Sequence, residues 1–358
     1  MKIAVLSPVW FPVPPTRYGG IEWIVSLLSQ GLVRAGHDVT LFASGDSSTR
    51  AELASVYDEA PSGSIGLTQV ELRHALSCFE RAGEFDVIND HSGPLGIVLG
   101  GVVHTPVVHT VHGPLGGDPG LLYSSLTGVV PEVGLISLSM NQRKPLPDLN
   151  WVANCPNALE LDVYPVHPHK GDYLLFLGRM SPEKGCHRAI EVAKEADMPL
   201  LIAGKMQDHA EKEYFEARVR PKLGWGIEYL GEVDQAKKVD LLQNARVTLF
   251  PIEWEEPFGL VMIESMACGT PVVATRRGAV PEVIDDGRTG VIVDDYREMP
   301  AVLERAAALD PFECRRYVEE RFSSERMVRD YEEAYRAALD ARADGGKSLL
   351  EVGDQVTD

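Results

Sequence analysis

Two acids eight positions apart, Glu256 and Glu264, enclose the run Pro257-Phe258-Gly259-Leu260-Val261-Met262-Ile263, and a basic pair, Arg179 and Lys184, lies earlier between Gly178 and Gly185. These residue types suit one kind of ligand. A guanidinium fork grips two phosphate oxygens, an ammonium adds a mobile point charge, and carboxylates accept hydrogen bonds from the hydroxyls of a polyol. Glu264 sits among Val261, Met262, Ile263, Met266 and Ala267, where an unpaired carboxylate is costly. Each acid also has a plainer reading, Glu256 as a charge at a helix N-terminus and Glu264 as a solvent-facing helix residue. A bound polyol would give both of them donors.

The elements that must position these groups follow from their neighbours. Pro257 suits a first helical position and Gly269 a left-handed stop, so the spacing predicts a helix of about three turns between them. The apolar strand 247–250 feeds it. A strand entering a helix through a tight turn aims the N–H groups of Phe258, Gly259 and Leu260 out of the carboxyl edge of a sheet, where phosphates bind. The Arg179–Lys184 turn follows another apolar strand, 173–177, and Gly204 and Gly231-Glu232-Val233 end two more. Strand and helix patterns alternate from 173 to 293, which implies a mostly parallel sheet.

The Glu-x7-Glu spacing with Phe-Gly inside it resembles the signature of retaining glycosyltransferases of family 4, and the order Gly-Arg…Lys-Gly after a strand matches that family too. The resemblance runs through nearly all of residues 1–340. It implies an α/β protein of GT-B architecture, two Rossmann-like domains with parallel sheets facing across a cleft. It also implies roles: Arg179, Lys184 and the N–H groups of Phe258, Gly259 and Leu260 on a diphosphate, Gly204 and the backbone near Val233 on the nucleotide, Glu264 on ribose hydroxyls, and Glu256 toward the transferred sugar. Gly19 and Gly20 match the loop that faces the donor phosphates, and His112 corresponds to the family's active-site histidine. Ala158 and Glu160 depart from the family, which has Gly and Asp there; Pro156 and Asn157 remain.

The first half of the chain also reads as βαβ. Ile3, Val5 and Leu6 mark a buried strand, the Pro-rich 8–18 a loop, and Ile21, Ile24, Val25, Leu28 and Leu32 a helix ending at Gly36. Residues 37–43 are the next strand. The small, polar 44–66 and the stretch 114–132 are expected as loops, and 71–82 as a helix. Strand 85–88 ends in Asn89-Asp90-His91-Ser92-Gly93, and strand 105–111 ends at His112. His104 and His109 differ by five in a strand-like run and so lie on opposite faces, which argues against a metal site. The Pro- and His-rich 162–171 is the linker candidate, giving an acceptor-side domain over 1–165 and a nucleotide-sugar domain over 170–322. A helix over 323–343 is expected to return to the first domain, and 344–358 is expected as a mobile tail.

At 358 residues, 44% hydrophobic and 24% charged, the chain suits two globular domains. Its formal charge of −19 argues against a nucleic-acid partner and limits membrane association to the peripheral. No apolar stretch approaches the roughly 20 residues of a span, and the N-terminus turns polar too early for a signal peptide, so a cytoplasmic protein is expected. The five scattered cysteines suggest neither a disulfide framework nor zinc. The expected function is metal-independent, retaining transfer of a hexose from a nucleoside-diphosphate sugar, with no cofactor, to a carbohydrate, small-molecule or lipid-linked acceptor. Two rivals remain: a nucleotide-sugar epimerase of the same fold and a non-catalytic nucleotide-sugar-binding protein.

Overall fold

A computed structural model describes residues 1–16, 19–206 and 208–343. The expected tail, 344–358, lies outside the described residues, as does Tyr18. The chain divides into two compact units, one built from Met1–Ala158 and the segment from Ser324 onward, the other from Leu159–Ser323.

The first unit holds a seven-stranded sheet of β1 (Lys2–Leu6), β2 (Asp38–Phe42), β3 (Glu52–Ala54), β4 (Val87–Asp90), β5 (Val107–Thr110), β6 (Gly134–Ser137) and β7 (Trp151–Asn154). Every pairing is parallel, in the order β3-β2-β1-β4-β5-β6-β7. Strands buried on both faces read as continuous apolar runs, which is why Ile3, Val5, Ile88, Val108 and Leu135 are all buried. Two stretches expected as loops carry structure. β3 sits within 44–66 as a short edge strand, and a helix, Gly117–Val129, occupies most of 114–132. That helix buries Gly120, Tyr123 and Thr127, a face at helical spacing made mostly of small residues, so apolar periodicity gave little sign of it. The C-terminal helix Ser324–Ala343 belongs to this unit and buries Met327, Tyr331, Ala334, Tyr335 and Ala338.

The second unit holds six parallel strands, β8 (Leu174–Leu177), β9 (Leu200–Ala203), β10 (Ile227–Tyr229), β11 (Val247–Phe250), β12 (Val272–Thr275) and β13 (Gly290–Val293), ordered β10-β9-β8-β11-β12-β13. Its start differs from the expected boundary, because 159–165 joins this unit. Leu159 N–H donates to Phe322 O at 2.9 Å, and the Tyr164 hydroxyl reaches Glu264.

In both sheets the strand order reverses beside the first strand, between β1 and β4 and between β8 and β11. The loops leaving the carboxyl ends of those pairs splay apart, which opens a crevice for a ligand. All five cysteines are buried free thiols. Among the described residues, no helix is long and apolar enough to cross a membrane.

Candidate active site

The expected diphosphate and sugar groups emerge at the β8/β11 reversal. β8 exits into the turn bearing Arg179 and Lys184, and β11 exits into the loop bearing Glu256. Gly185 closes the first turn at φ 79, a left-handed conformation, and a Cβ there would stand 2.2 Å from Pro251 O. Glu253 N–H donates to Glu183 O at 3.0 Å, so the two loops are stitched by backbone as well.

Across that seam Lys184 Nζ lies 2.5 Å from Glu256 Oε2, and the Trp254 indole N–H donates to the same oxygen at 2.9 Å. The ammonium also stands 4.4 Å from the centroid of the Trp254 ring, a cation–π contact worth roughly 0.5–2 kcal/mol. Arg179 pairs with Glu211 at 3.0 Å and with Glu183 at 3.5 Å. Lys184 therefore does not take Glu183, its sequence neighbour.

The helix after β11 begins later than its proline suggests. It spans Leu260–Ala267, with Gly259 at its N-cap in a left-handed conformation, φ 85. Pro257 and Phe258 lie in the preceding loop, where Phe258 is buried and packs edge-on to Phe322 at 5.7 Å. The first-turn amides belong to Leu260 and Val261, while Phe258 and Gly259 offer loop amides. Gly278 packs behind this loop at φ 55, where a Cβ would sit 2.2 Å from Glu256 N and 2.3 Å from Glu256 O. Only glycine lets the two backbones approach so closely.

Glu264 is buried on that helix, yet it is not short of donors. Lys238 Nζ lies 2.6 Å from its Oε1 and the Tyr164 hydroxyl donates to the same oxygen at 2.9 Å, with Gln235 Nε2 donating to Tyr164 at 3.0 Å. Both buried acids thus have lysine partners from the protein itself, so neither depends on a bound polyol for a donor. Desolvated carboxylates are tolerable because the sequence places Lys184 and Lys238 against them. Neither partner was evident from spacing: Lys184 is 72 residues from Glu256 and Lys238 is 26 from Glu264.

Gly204 follows β9 and packs where a Cβ would meet Gly178 O at 1.8 Å; its carbonyl accepts from the Tyr229 hydroxyl at 2.7 Å. Val233 is half-buried after β10, just before the helix Gln235–Asn244.

In the first unit, Gly19 is the N-cap and Gly20 the first residue of the helix Gly20–Arg34. At the β4 and β5 ends the polar residues interlock. His91 Nδ1 lies 2.9 Å from His112 Nε2, and Asn89 Nδ2 lies 2.9 Å from His91 Nε2. His112 is partly exposed, yet desolvation of its ring and the neighbouring His109 push its imidazole down to about 3. His91 is pushed well below the ordinary range by burial and then by His112. Beside them His109 Nδ1 meets Asp90 Oδ2 at 2.6 Å and its Nε2 meets the Tyr123 hydroxyl at 2.9 Å. His109 is thereby occupied in the core, and His104 stays on the surface. The sequence showed His91 only as one of several polar residues after β4; its contact with His112 depends on the β4–β5 pairing.

Two α/β units, each a parallel sheet whose strand order reverses beside its first strand, define the class: this is the GT-B fold of glycosyltransferases. Residues 161–312 match glycosyl transferases group 1, and residues 18–131 match glycosyltransferase family 4. The chain is 29% identical to a phosphatidyl-myo-inositol mannosyltransferase of Mycolicibacterium smegmatis, over 85% of this chain and 84% of the relative. The solved structure of AviGT4, a glycosyltransferase involved in avilamycin A biosynthesis, is 28% identical with a TM-score of 0.71, covering 95% of this chain and 98% of that one. Sucrose-phosphate synthase of Thermosynechococcus elongatus shares the fold at a TM-score of 0.77 and 21% identity, over 95% of this chain and 100% of that one. The chain belongs to glycosyltransferase family 4, and it is an enzyme of sugar transfer.

Proposed function

We propose that the chain is a metal-independent, retaining hexosyltransferase that uses a nucleoside-diphosphate sugar and an acceptor hydroxyl. One observation carries this reading: Arg179, Lys184, Glu256 and the amides opening the helix Leu260–Ala267 converge on the β8/β11 reversal. As the glycosidic bond breaks, charge accumulates on the departing diphosphate. Arg179, Lys184 and the amides of Phe258, Gly259 and Leu260 supply fixed positive potential there. That is the charge a divalent ion would otherwise provide. Glu264, with Oε1 taken by Lys238 and Tyr164, offers Oε2 to ribose hydroxyls, and Gly204 and the backbone at Val233 border the nucleotide. Glu256 accepts from the sugar's hydroxyls, and Gly19 and Gly20, which open a helix in the first unit, are assigned to the donor phosphates from the family resemblance. His112 hydrogen-bonds the reacting sugar or the acceptor. Retention is inferred from the family, and the acceptor is a carbohydrate, a small molecule or a lipid-linked sugar.

The test is a panel of UDP-, GDP- and ADP-sugars, read by thermal shift and by release of nucleoside diphosphate, with wild type and Arg179→Ala/Lys184→Ala protein. One donor should stabilise the wild type and be consumed faster with an acceptor, without loss of rate in a chelator and with the donor's anomeric configuration kept in the product. The double variant should lose both responses. Turnover of the free sugar nucleotide to an isomer would make the chain an epimerase; binding without turnover would make it a carrier. Equal binding by the double variant would remove the diphosphate assignment.

A further inference from the structure

His112 does not meet the rest of the first unit through carbon alone. Its Nε2 contacts His91 Nδ1 at 2.9 Å, and His91 is in turn held by Asn89, whose amide nitrogen also donates to the Tyr335 hydroxyl at 2.8 Å. The direction of this chain follows from hydrogen-bond inventory. An amide nitrogen only donates, so His91 Nε2 accepts and is bare of hydrogen. A neutral imidazole carries one N–H, which must then be on His91 Nδ1. That hydrogen points at His112 Nε2, which accepts it, and the remaining proton of His112 is on Nδ1.

The Asn89 orientation anchors the argument. With the amide nitrogen toward His91 and Tyr335, the amide oxygen is the buried atom without a partner. Turned over, the amide would leave its two N–H groups in that place, and orphaned donors are the rarer defect in folded proteins. The surroundings are rigid: Asn89, His91 and Tyr335 are buried, and the His91 ring lies 5.9 Å from the Tyr331 ring. Both Tyr331 and Tyr335 come from the C-terminal helix Ser324–Ala343.

We propose that His91 is a positioning residue that holds His112 as its Nδ1–H tautomer, so that the sugar-transfer site meets a hydrogen-bond donor at that nitrogen. The inference rests on the reading of His112 as a residue of the transfer site. A free imidazole favours the Nε2–H form, so the tautomer at His112 is imposed by its neighbour. The donor then suits an oxygen, whether of the transferred sugar or of the acceptor. Catalysis by His112 as a base through Nδ1 is excluded by the same assignment.

The experiment is long-range proton–nitrogen NMR of histidine-labelled resting protein, with the transfer rate measured on the same samples. Wild type should show protonated Nδ1 and bare Nε2 at both His91 and His112. His91→Phe keeps a ring and removes the N–H; it should move His112 to the Nε2–H form and lower kcat about tenfold or more with donor KM little changed. His91→Asn, whose amide restores a donor near the Nδ1 position, should recover the Nδ1–H form and most of the rate. An Nε2–H signature for His112 in wild type overturns the proposal without any variant having to fold. So does a His91→Phe protein with its tautomer unchanged, or with its tautomer moved and its kcat intact. If wild type transfers no sugar at all, the functional reading falls instead, while the tautomer is still read directly from the resting protein.

Discussion

Lys184 Nζ and Glu256 Oε2 are 2.5 Å apart, joining the loop after β8 to the loop after β11. Their side chains are only 17% and 9% exposed. A pair held this far from water gains little net stability, because desolvation offsets most of the attraction, yet removing one member strands the other. Lys184→Met should therefore lower unfolding free energy by about 1–3 kcal/mol, the range for an orphaned buried polar group. Adding Glu256→Gln should recover much of that loss while leaving sugar transfer at least about a hundredfold below wild type, as removal of a preorganised charge does. Urea denaturation and initial rates on the same proteins check this; recovery of both quantities would place the pair outside the reaction.

Trp254 binds both members of that pair, through its N–H to Glu256 and its ring face to Lys184. Trp254→Phe keeps a face for the ammonium and deletes the hydrogen bond. A fewfold fall in kcat is expected, with a larger one for Trp254→Leu, which loses both. Equal effects would mean that the ring face contributes nothing, and an unaffected Trp254→Phe protein would mean the same of the indole N–H.

Gly278 and Gly287 make a matched comparison, since both have left-handed backbones but differ in what surrounds them. A Cβ on Gly278 collides with the Glu256 backbone, whereas one on Gly287 meets nothing within 4 Å. Gly287→Ala should cost about 1–2 kcal/mol of strain and leave activity alone. Gly278→Ala should cost more and reduce transfer about a hundredfold or more by displacing Glu256. Comparable activity in the two variants would show that the position of Glu256 is not critical.

His74 is buried, donates from Nε2 to Ser7 O at 3.0 Å, and has no partner at Nδ1. Burial pushes its pKa from 6.5 down to about 4. The folded protein keeps it neutral while the unfolded chain takes up a proton below pH 6.5, so the unfolded state binds more protons between those values. Stability is thus unaffected by His74 above about pH 6.5 and falls as pH is lowered toward 4, by roughly 3 kcal/mol across the window. His74→Gln should flatten the decline measured by urea denaturation at pH 7, 6 and 5. The slope will not vanish, because His187 is also lowered, to about 4, by burial and then by Arg188. An unchanged slope would rule His74 out as a contributor.

Much of the architecture was legible because parallel strands advertise themselves as apolar runs and place turn chemistry at their carboxyl ends. Arg179, Lys184, Glu256 and Glu264 stood out for that reason. What the sequence hid was who pairs with whom. Lys238 and Tyr164 reach Glu264 from separate segments, and His91 reaches His112 only because β4 lies beside β5. The start of the helix at Leu260 was hidden for another reason: Pro257 suits a helix, but burial of Phe258 and the left-handed Gly259 keep the chain in a loop for one more turn. The helix Gly117–Val129 was missed because its buried face is made largely of small residues.

The first unit is assembled from both ends of the chain, with the second unit threaded between Ala158 and Ser324. A ribosome delivers Asn89, His91 and His112 early, but the helix bearing Tyr331 and Tyr335 emerges only after the whole second unit has been made. The histidine pair is therefore finished last. Any product of interrupted synthesis or of cleavage before Ser324 keeps Arg179 and Lys184 of the second unit but lacks the tyrosines that box in His91, so the helix Ser324–Ala343 is what completes the surroundings of the histidine pair.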